Sequence, residues 1–179
     1  MTSSSESDQP KAAPLLVVEE LKKYFPLGRG LFGNAKGAVK AVDGVSLTIR
    51  RGETLGLVGE SGCGKTTLGR LILRLEKPTE GAIIVDGDNI SNFGTRAMNP
   101  LRRRLQYIFQ DPYSSLNPRM TAGAIVGEPL SNYDIVRGVE KQARITELFQ
   151  RVGLRPERMS SYPHEFSGGQ RQRLGIARA

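Results

Sequence analysis

Eight consecutive residues, Gly59-Glu-Ser-Gly-Cys-Gly-Lys-Thr66, carry the most specific chemistry in the chain. They satisfy the spacing G-x-x-x-x-G-K-[ST], in which glycines let backbone N–H groups converge on phosphate oxygens without Cβ clashes. A helix starting at the end of such a loop adds its partial positive charge. Lys65 is placed to reach a β- or γ-phosphate, and the Thr66 hydroxyl to help hold Mg²⁺. The expected contact run is Gly59, Glu60, Ser61, Gly62, Cys63, Gly64, Lys65, Thr66 and Thr67. Cys63 reads as a small residue that fits the loop, because no general base lies near it in sequence.

A second candidate anion site lies at Phe166-Ser-Gly-Gly-Gln-Arg-Gln-Arg173. Ser167 suits the N-cap of a helix running toward Ala179, and Gly168 and Gly169 leave its first N–H groups accessible.

The elements that must position these motifs are legible as hydrophobic patterns. Glu53–Val58 reads as a buried strand feeding the loop. A helix is expected from about Lys65, with Leu68, Leu71, Ile72 and Leu75 on one face, ended by Pro78 and Gly81. Leu15–Leu21 reads as a first strand, and Val45, Leu47 and Ile49 alternate within a second at Val39–Ile49. A third at Ala82–Val85 leads into an Asp86-Gly87 turn. Leu105–Phe109 is a further strand candidate. Helical patterning begins at Thr121, with Ile145, Leu148, Phe149 and Val152 in one stripe and Gly153 as a C-cap. Pro26–Gly37 is expected to be a loop. These readings give an α/β fold over residues 14–179, with residues 1–13 a disordered tail and about 111–166 a helical subdomain.

With both motifs in place, the sequence resembles the nucleotide-binding subunits of ABC transporters, and more narrowly the ATPases of oligopeptide/dipeptide (peptide/nickel) importers. The narrow match rests on Leu21-Lys-Lys-Tyr-Phe-Pro26, Gly37-Ala-Val-Lys-Ala-Val-Asp-Gly44, Gln106-Tyr-Ile-Phe-Gln-Asp-Pro112, Ser115-Leu-Asn-Pro-Arg-Met-Thr121 and Tyr162-Pro-His-Glu-Phe-Ser167. The resemblance implies a RecA-like P-loop core with an antiparallel β subdomain and a helical subdomain. It implies ATP and Mg²⁺ as ligands, with Phe25 or Tyr24 stacking on adenine. Gln110 matches the Q-loop glutamine, which contacts Mg²⁺ or the attacking water. Ser167, Gly168, Gly169 and Gln170 match the signature that closes on ATP held by the opposite subunit of a head-to-tail dimer. Permease subunits and an extracytoplasmic solute-binding protein are the other implied partners, at the cytoplasmic face of the membrane.

The family pattern continues into an apolar strand ending in Asp-Glu (Walker B), a D-loop and a switch histidine (H-loop). None of these is found here, so the chain is expected to be an N-terminal portion that does not hydrolyse ATP alone. Two decoys are set aside. Asp86 follows an apolar strand but precedes the Q-loop and is followed by Gly87, so it reads as a turn residue. His164, the chain's one histidine, lies three positions before Ser167 and reads as a packing or capping residue.

Composition narrows the alternatives. Of 179 residues 38% are hydrophobic and 25% charged, an ordinary globular balance, and no apolar run approaches the roughly 20 residues of a membrane span. One cysteine excludes an internal disulfide framework. A net charge of +8 would suit DNA, which keeps an ABC-type ATPase of DNA repair or chromosome maintenance as an alternative. The short interval from Gln110 to Ser167, the lone cysteine and the lack of heptads argue against it, and no nucleic-acid partner is expected. A non-catalytic nucleotide-binding fragment is the remaining alternative.

Overall fold

The structure, a computed structural model, describes residues 13–27, 37–111, 113 and 115–179. The expected tail, apart from Ala13, and most of the Pro26–Gly37 loop lie outside the described residues. The chain divides between Leu101 and Arg102 into two compact units.

The first unit is built on an antiparallel sheet of order β2-β1-β3-β4, comprising β1 (Pro14–Pro26), β2 (Ala38–Arg50), β3 (Glu80–Val85) and β4 (Asp88–Asn89). β1 is central because its apolar face is continuous: Val18 and Leu21 are fully buried, as is Ile83 on β3. On β2, half-buried Val45, Leu47 and Ile49 alternate with exposed neighbours, as their spacing predicts. β1 bulges at Glu20, whose carbonyl oxygen would lie 2.5 Å from a Cβ at Gly81, so only glycine fits there. Asp86 and Gly87 both have positive φ and close the β3–β4 hairpin as a type I′ turn, with Asp86 ion-paired to Arg51. The turn reading of Asp86 therefore stands.

Helix α1 (Lys65–Ile72) starts where expected and buries Leu68 and Leu71. It ends earlier than the stripe suggests, and Leu75 is exposed. The reason is Arg74, which takes a positive φ and turns its buried guanidinium onto the carbonyls of Ile90 (2.9 Å) and Phe93 (3.2 Å). A buried cation needs such acceptors, and they are available only if the helix stops. Helix α2 (Thr95–Arg102) closes the unit with Met98 buried.

Two expected strands are not formed. Glu53–Val58 and Leu105–Phe109 carry no regular secondary structure, with Leu57 49% and Val58 90% exposed. A buried strand needs a neighbour on each side, and among the described residues none pairs with either segment.

The second unit is helical: α3 (Ala122–Asn132), α4 (Gly138–Arg151) and α5 (Gly168–Arg178), with short 3₁₀ turns at Pro156–Ser160 and Pro163–Glu165. Thr121 caps α3, its side chain accepting from the Ala124 N–H. α4 ends in a Schellman motif: the Gly153 N–H bonds the Gln150 carbonyl, the Leu154 N–H bonds that of Phe149, and Gly153 has φ +69°. Its stripe buries Ile145 and Phe149 against Ile125, Val126, Leu174 and Phe166. Each such large side chain contributes about 1.5–3 kcal/mol of burial. The cluster includes Phe166, directly before Ser167, as well as Leu174 and Ala177 of α5, so the same core that holds the helices together fixes the Ser-Gly-Gly end of α5.

Candidate functional site

The two anion motifs fall in different units and are described separately. In the first unit, the loop after Val58 reaches α1 through glycines at φ +82° (Gly62) and +96° (Gly64). Gly64 is the N-cap of α1, and no side chain caps the helix. Among the described residues the N–H groups of Gly64, Lys65, Thr66 and Thr67 have no acceptor. Four converging donors at the positive end of a helix make an anion nest. Lys65 extends back over it: its Nζ donates to the carbonyls of Gly59 (2.8 Å) and Glu60 (2.5 Å) and lies 3.5 Å from Cys63 Sγ. The ammonium therefore sits within the loop, with the exposed Cys63 beside it.

Packing against β2 fixes the loop. A Cβ on Gly64 would lie 2.2 Å from the Ala41 carbonyl oxygen. Gly62 also has positive φ, but nothing lies within 4 Å of its Cβ position. Gly64→Ala should therefore cost more than Gly62→Ala, which bears only the backbone strain. Each strained residue costs on the order of 1–3 kcal/mol, and the backbone clash adds to it at Gly64. Thermal unfolding of the two variants checks the difference, and equal losses would mean that β2 does not hold the loop.

Beside the loop is a cavity of about 370 Å³, lined on one side by Cys63, Gly64, Lys65 and Leu68 and on the other by residues of β2, including Lys40 and Asp43. Tyr24 on β1 donates its hydroxyl proton to Asp43, which also accepts from Lys40 Nζ at 3.1 Å, and Lys40 lies 5.2 Å from the Tyr24 ring centroid. The hydrogen bonds from Tyr24 and then Lys40 hold the Asp43 carboxyl below its ordinary value. The bond to Asp43 raises the Tyr24 phenol. Phe25, the next residue, faces the other side of the strand. It is 39% exposed and has Lys23 Nζ 4.8 Å from its ring centroid.

In the second unit, Ser167 and Gln170 form a capping box: Ser167 Oγ accepts from the Gln170 N–H (3.3 Å), and Gln170 Oε1 accepts from the Ser167 N–H (3.0 Å). The box occupies the Gln170 side chain with the helix itself. Among the described residues the Gly168 and Gly169 N–H groups have no acceptor, and no acidic side chain occupies the first turn. Gln110 is exposed, followed by a turn in which Asp111 Oδ1 accepts from the Tyr113 N–H at 2.8 Å. His164 stacks on Tyr162 with centroids 5.8 Å apart, which supports its reading as a packing residue.

Sequence reasoning missed two arginines around the turn before α5. Arg171 donates through Nε to the carbonyls of Pro163 (2.8 Å) and Phe166 (3.0 Å). Arg158 lies over the Phe166 ring at 4.7 Å and donates to the Glu165 carbonyl at 2.9 Å. The only signal was an arginine next to the Ser-Gly-Gly-Gln run, and its targets are backbone carbonyls that no residue type announces.

The N-termini of α1 and α5 are both entered through glycines and keep N–H groups without an acceptor among the described residues. Residues 42–179 match the ABC transporter family, and the chain belongs to it. It is 52% identical over 166 residues to the oligopeptide transport ATP-binding protein AppF of Bacillus subtilis, covering 92% of this chain and 50% of that protein. It is 50% identical over 166 residues to the glutathione import ATP-binding protein GsiA of Salmonella paratyphi A, covering 93% of this chain and 27% of that protein. The fold is similar to that of the ATP-binding cassette MJ0796, solved in a dimeric post-hydrolysis state with ADP and Pi. That comparison has a TM-score of 0.76 and 29% identity, covering 91% of this chain and 68% of that one. The chain spans about half the length of the oligopeptide relative. No helix among the described residues is long and apolar enough to cross a membrane.

Proposed function

We propose that the chain is the nucleotide-binding portion of an ATPase subunit that powers an importer of peptides or related small solutes. The observation that carries this reading is the close approach of Gly64 to Ala41, which fixes the N-terminus of α1, where four N–H groups have no acceptor among the described residues and Lys65 lies back over the loop. A β- or γ-phosphate fits that donor set. Lys65 would give up the Gly59 and Glu60 carbonyls to take phosphate oxygens, and Thr66 would help hold Mg²⁺. When bound, Mg²⁺ neutralises charge on the phosphate oxygens. The 59–67 run cradles the phosphates. Phe25 stacks on the base, because the Tyr24 ring on the opposite face is already tied to Asp43 and Lys40.

Ser167, Gly168, Gly169 and Gln170 act on the nucleotide of a second ATPase subunit in a head-to-tail dimer. Gly168 and Gly169 offer the N–H groups, while Ser167 and Gln170 hold the helix end rigid. Hydrolysis also needs a group that positions the attacking water; the 59–67 run and Ser167–Gln170 are proposed to hold nucleotide rather than to supply that group. Peptide import as the purpose is supported by the similarity to proteins named for oligopeptide transport and glutathione import. The same reading places the protein on the cytoplasmic face of the membrane with permease subunits and an extracytoplasmic solute-binding protein as partners.

The test is reconstitution of the full-length protein with its permease in vesicles. ATP hydrolysis should rise when peptide-loaded binding protein is added. Hydrolysis stimulated by DNA, with no response to the binding protein, would overturn the importer reading.

A further inference from the structure

We propose that Arg171 and Tyr113 couple the Gln110 segment to the N-terminus of α5, so that the two respond to bound nucleotide as one body. The inference rests on the reading of Gln110 and Ser167–Gln170 given above and adds the link between them. The Arg171 guanidinium carbon lies 4.0 Å from the centroid of the Tyr113 ring. The same guanidinium is fixed by the Pro163 and Phe166 carbonyls at 2.8 and 3.0 Å, and its NH2 reaches the His164 carbonyl at 3.4 Å. The Arg171 N–H bonds the Ser167 carbonyl at 2.9 Å, so this residue belongs to the first turn behind the signature glycines.

On the other side, Asp111 holds the Tyr113 N–H one residue after Gln110. The Tyr113 hydroxyl lies 3.9 Å from where a Cβ of Gly168 would be. A displacement of Tyr113 therefore pushes its ring against the end of α5, and the fixed guanidinium passes the push to the backbone before Ser167. A planar fork can accept the ring on its face while donating in its own plane, which a lysine ammonium cannot do.

Tyr113 is 64% exposed and is no part of the core, so the ring is not held there by burial. Arg158 holds the same turn from the Phe166 side, so loss of the Tyr113–Arg171 contact leaves the turn in place. These features separate coupling from folding and make a substitution informative.

The experiment uses the full-length protein and the variants Tyr113→Ala, Tyr113→Phe, Arg171→Lys and the Tyr113→Ala/Arg171→Lys pair. Nucleotide affinity of the monomer, ATP-driven dimerisation, kcat and KM are measured on each. Tyr113→Ala should lower kcat and dimerisation roughly five- to tenfold, with KM and monomer affinity within about twofold of the parent. Tyr113→Phe keeps the ring and should match the parent. The pair should be no worse than Arg171→Lys alone, since both substitutions break one link. Additive losses in the pair, or a Tyr113→Phe loss equal to that of Tyr113→Ala, would overturn the proposal. Failure of the underlying reading looks different: dimerisation would then be indifferent to a charge placed at Gly168.

Discussion

Gly168→Asp should abolish ATP-driven pairing of the full-length subunits while leaving the fold and the monomer's affinity for ATP intact. The argument begins with space. Gly168 has no positive φ, and a Cβ there meets nothing closer than the Tyr113 hydroxyl at 3.9 Å, so the larger residue fits. Its carboxylate would sit in the first turn of α5, where no acidic residue stands now, and interaction with the helix end favours folding by about 0.3–1 kcal/mol. Stability should therefore hold or rise slightly. In the proposed dimer the same carboxylate would occupy the position offered to a partner's phosphate and repel it. Two unit charges 4 Å apart at an effective dielectric near 20 differ by about 4 kcal/mol, a factor of several hundred in association. Sedimentation of the ATP-bound protein and its variant reads the effect. A variant that dimerises normally would remove the signature from the account, and one that loses ATP binding as a monomer would place Gly168 in the chain's own site.

Much of this was legible because it depends on short stretches of sequence. The tight loop into α1 follows from glycine spacing and the cap at Ser167 from a hydroxyl before two glycines. The β3–β4 turn follows from Asp-Gly, and the α4 stripe with its Gly153 stop from helical periodicity. The residues around both motifs resemble the ABC transporter family, and residues 42–179 match it. The strand expected at Glu53–Val58 failed for a physical reason. Apolar β-branched and aliphatic residues announce that a segment wants neighbours, but pairing depends on distant residues, and none among those described pairs with it. Leu75 failed differently, because periodicity carries no information about Arg74 leaving the helix to satisfy two carbonyls. The Tyr113–Arg171 contact joins residues 58 positions apart (171 − 113), and neither residue type marks the other as its partner.

The second large effect is expected at Lys65. Its Nζ rests 2.8 Å from the Gly59 carbonyl and 2.5 Å from that of Glu60, contacts that a phosphate oxygen replaces with charge-assisted bonds. Lys65→Ala removes the one side-chain cation in the nest and leaves its N–H groups in place. Binding should weaken by about 1.5–3 kcal/mol, or roughly ten- to a hundredfold, without being lost entirely. The backbone should be undisturbed, because α1 is held by Leu68, Leu71 and the Gly64–Ala41 contact rather than by the lysine. The central claim is that Gly59–Thr67 is a nucleotide-phosphate site, and calorimetric titration of Mg-ATP into the parent chain and Lys65→Ala side by side tests it most directly. The account predicts one site per chain in the parent and a ten- to hundredfold weaker one in the variant. Equal affinity in the two, or no heat of binding in a folded parent, would contradict it.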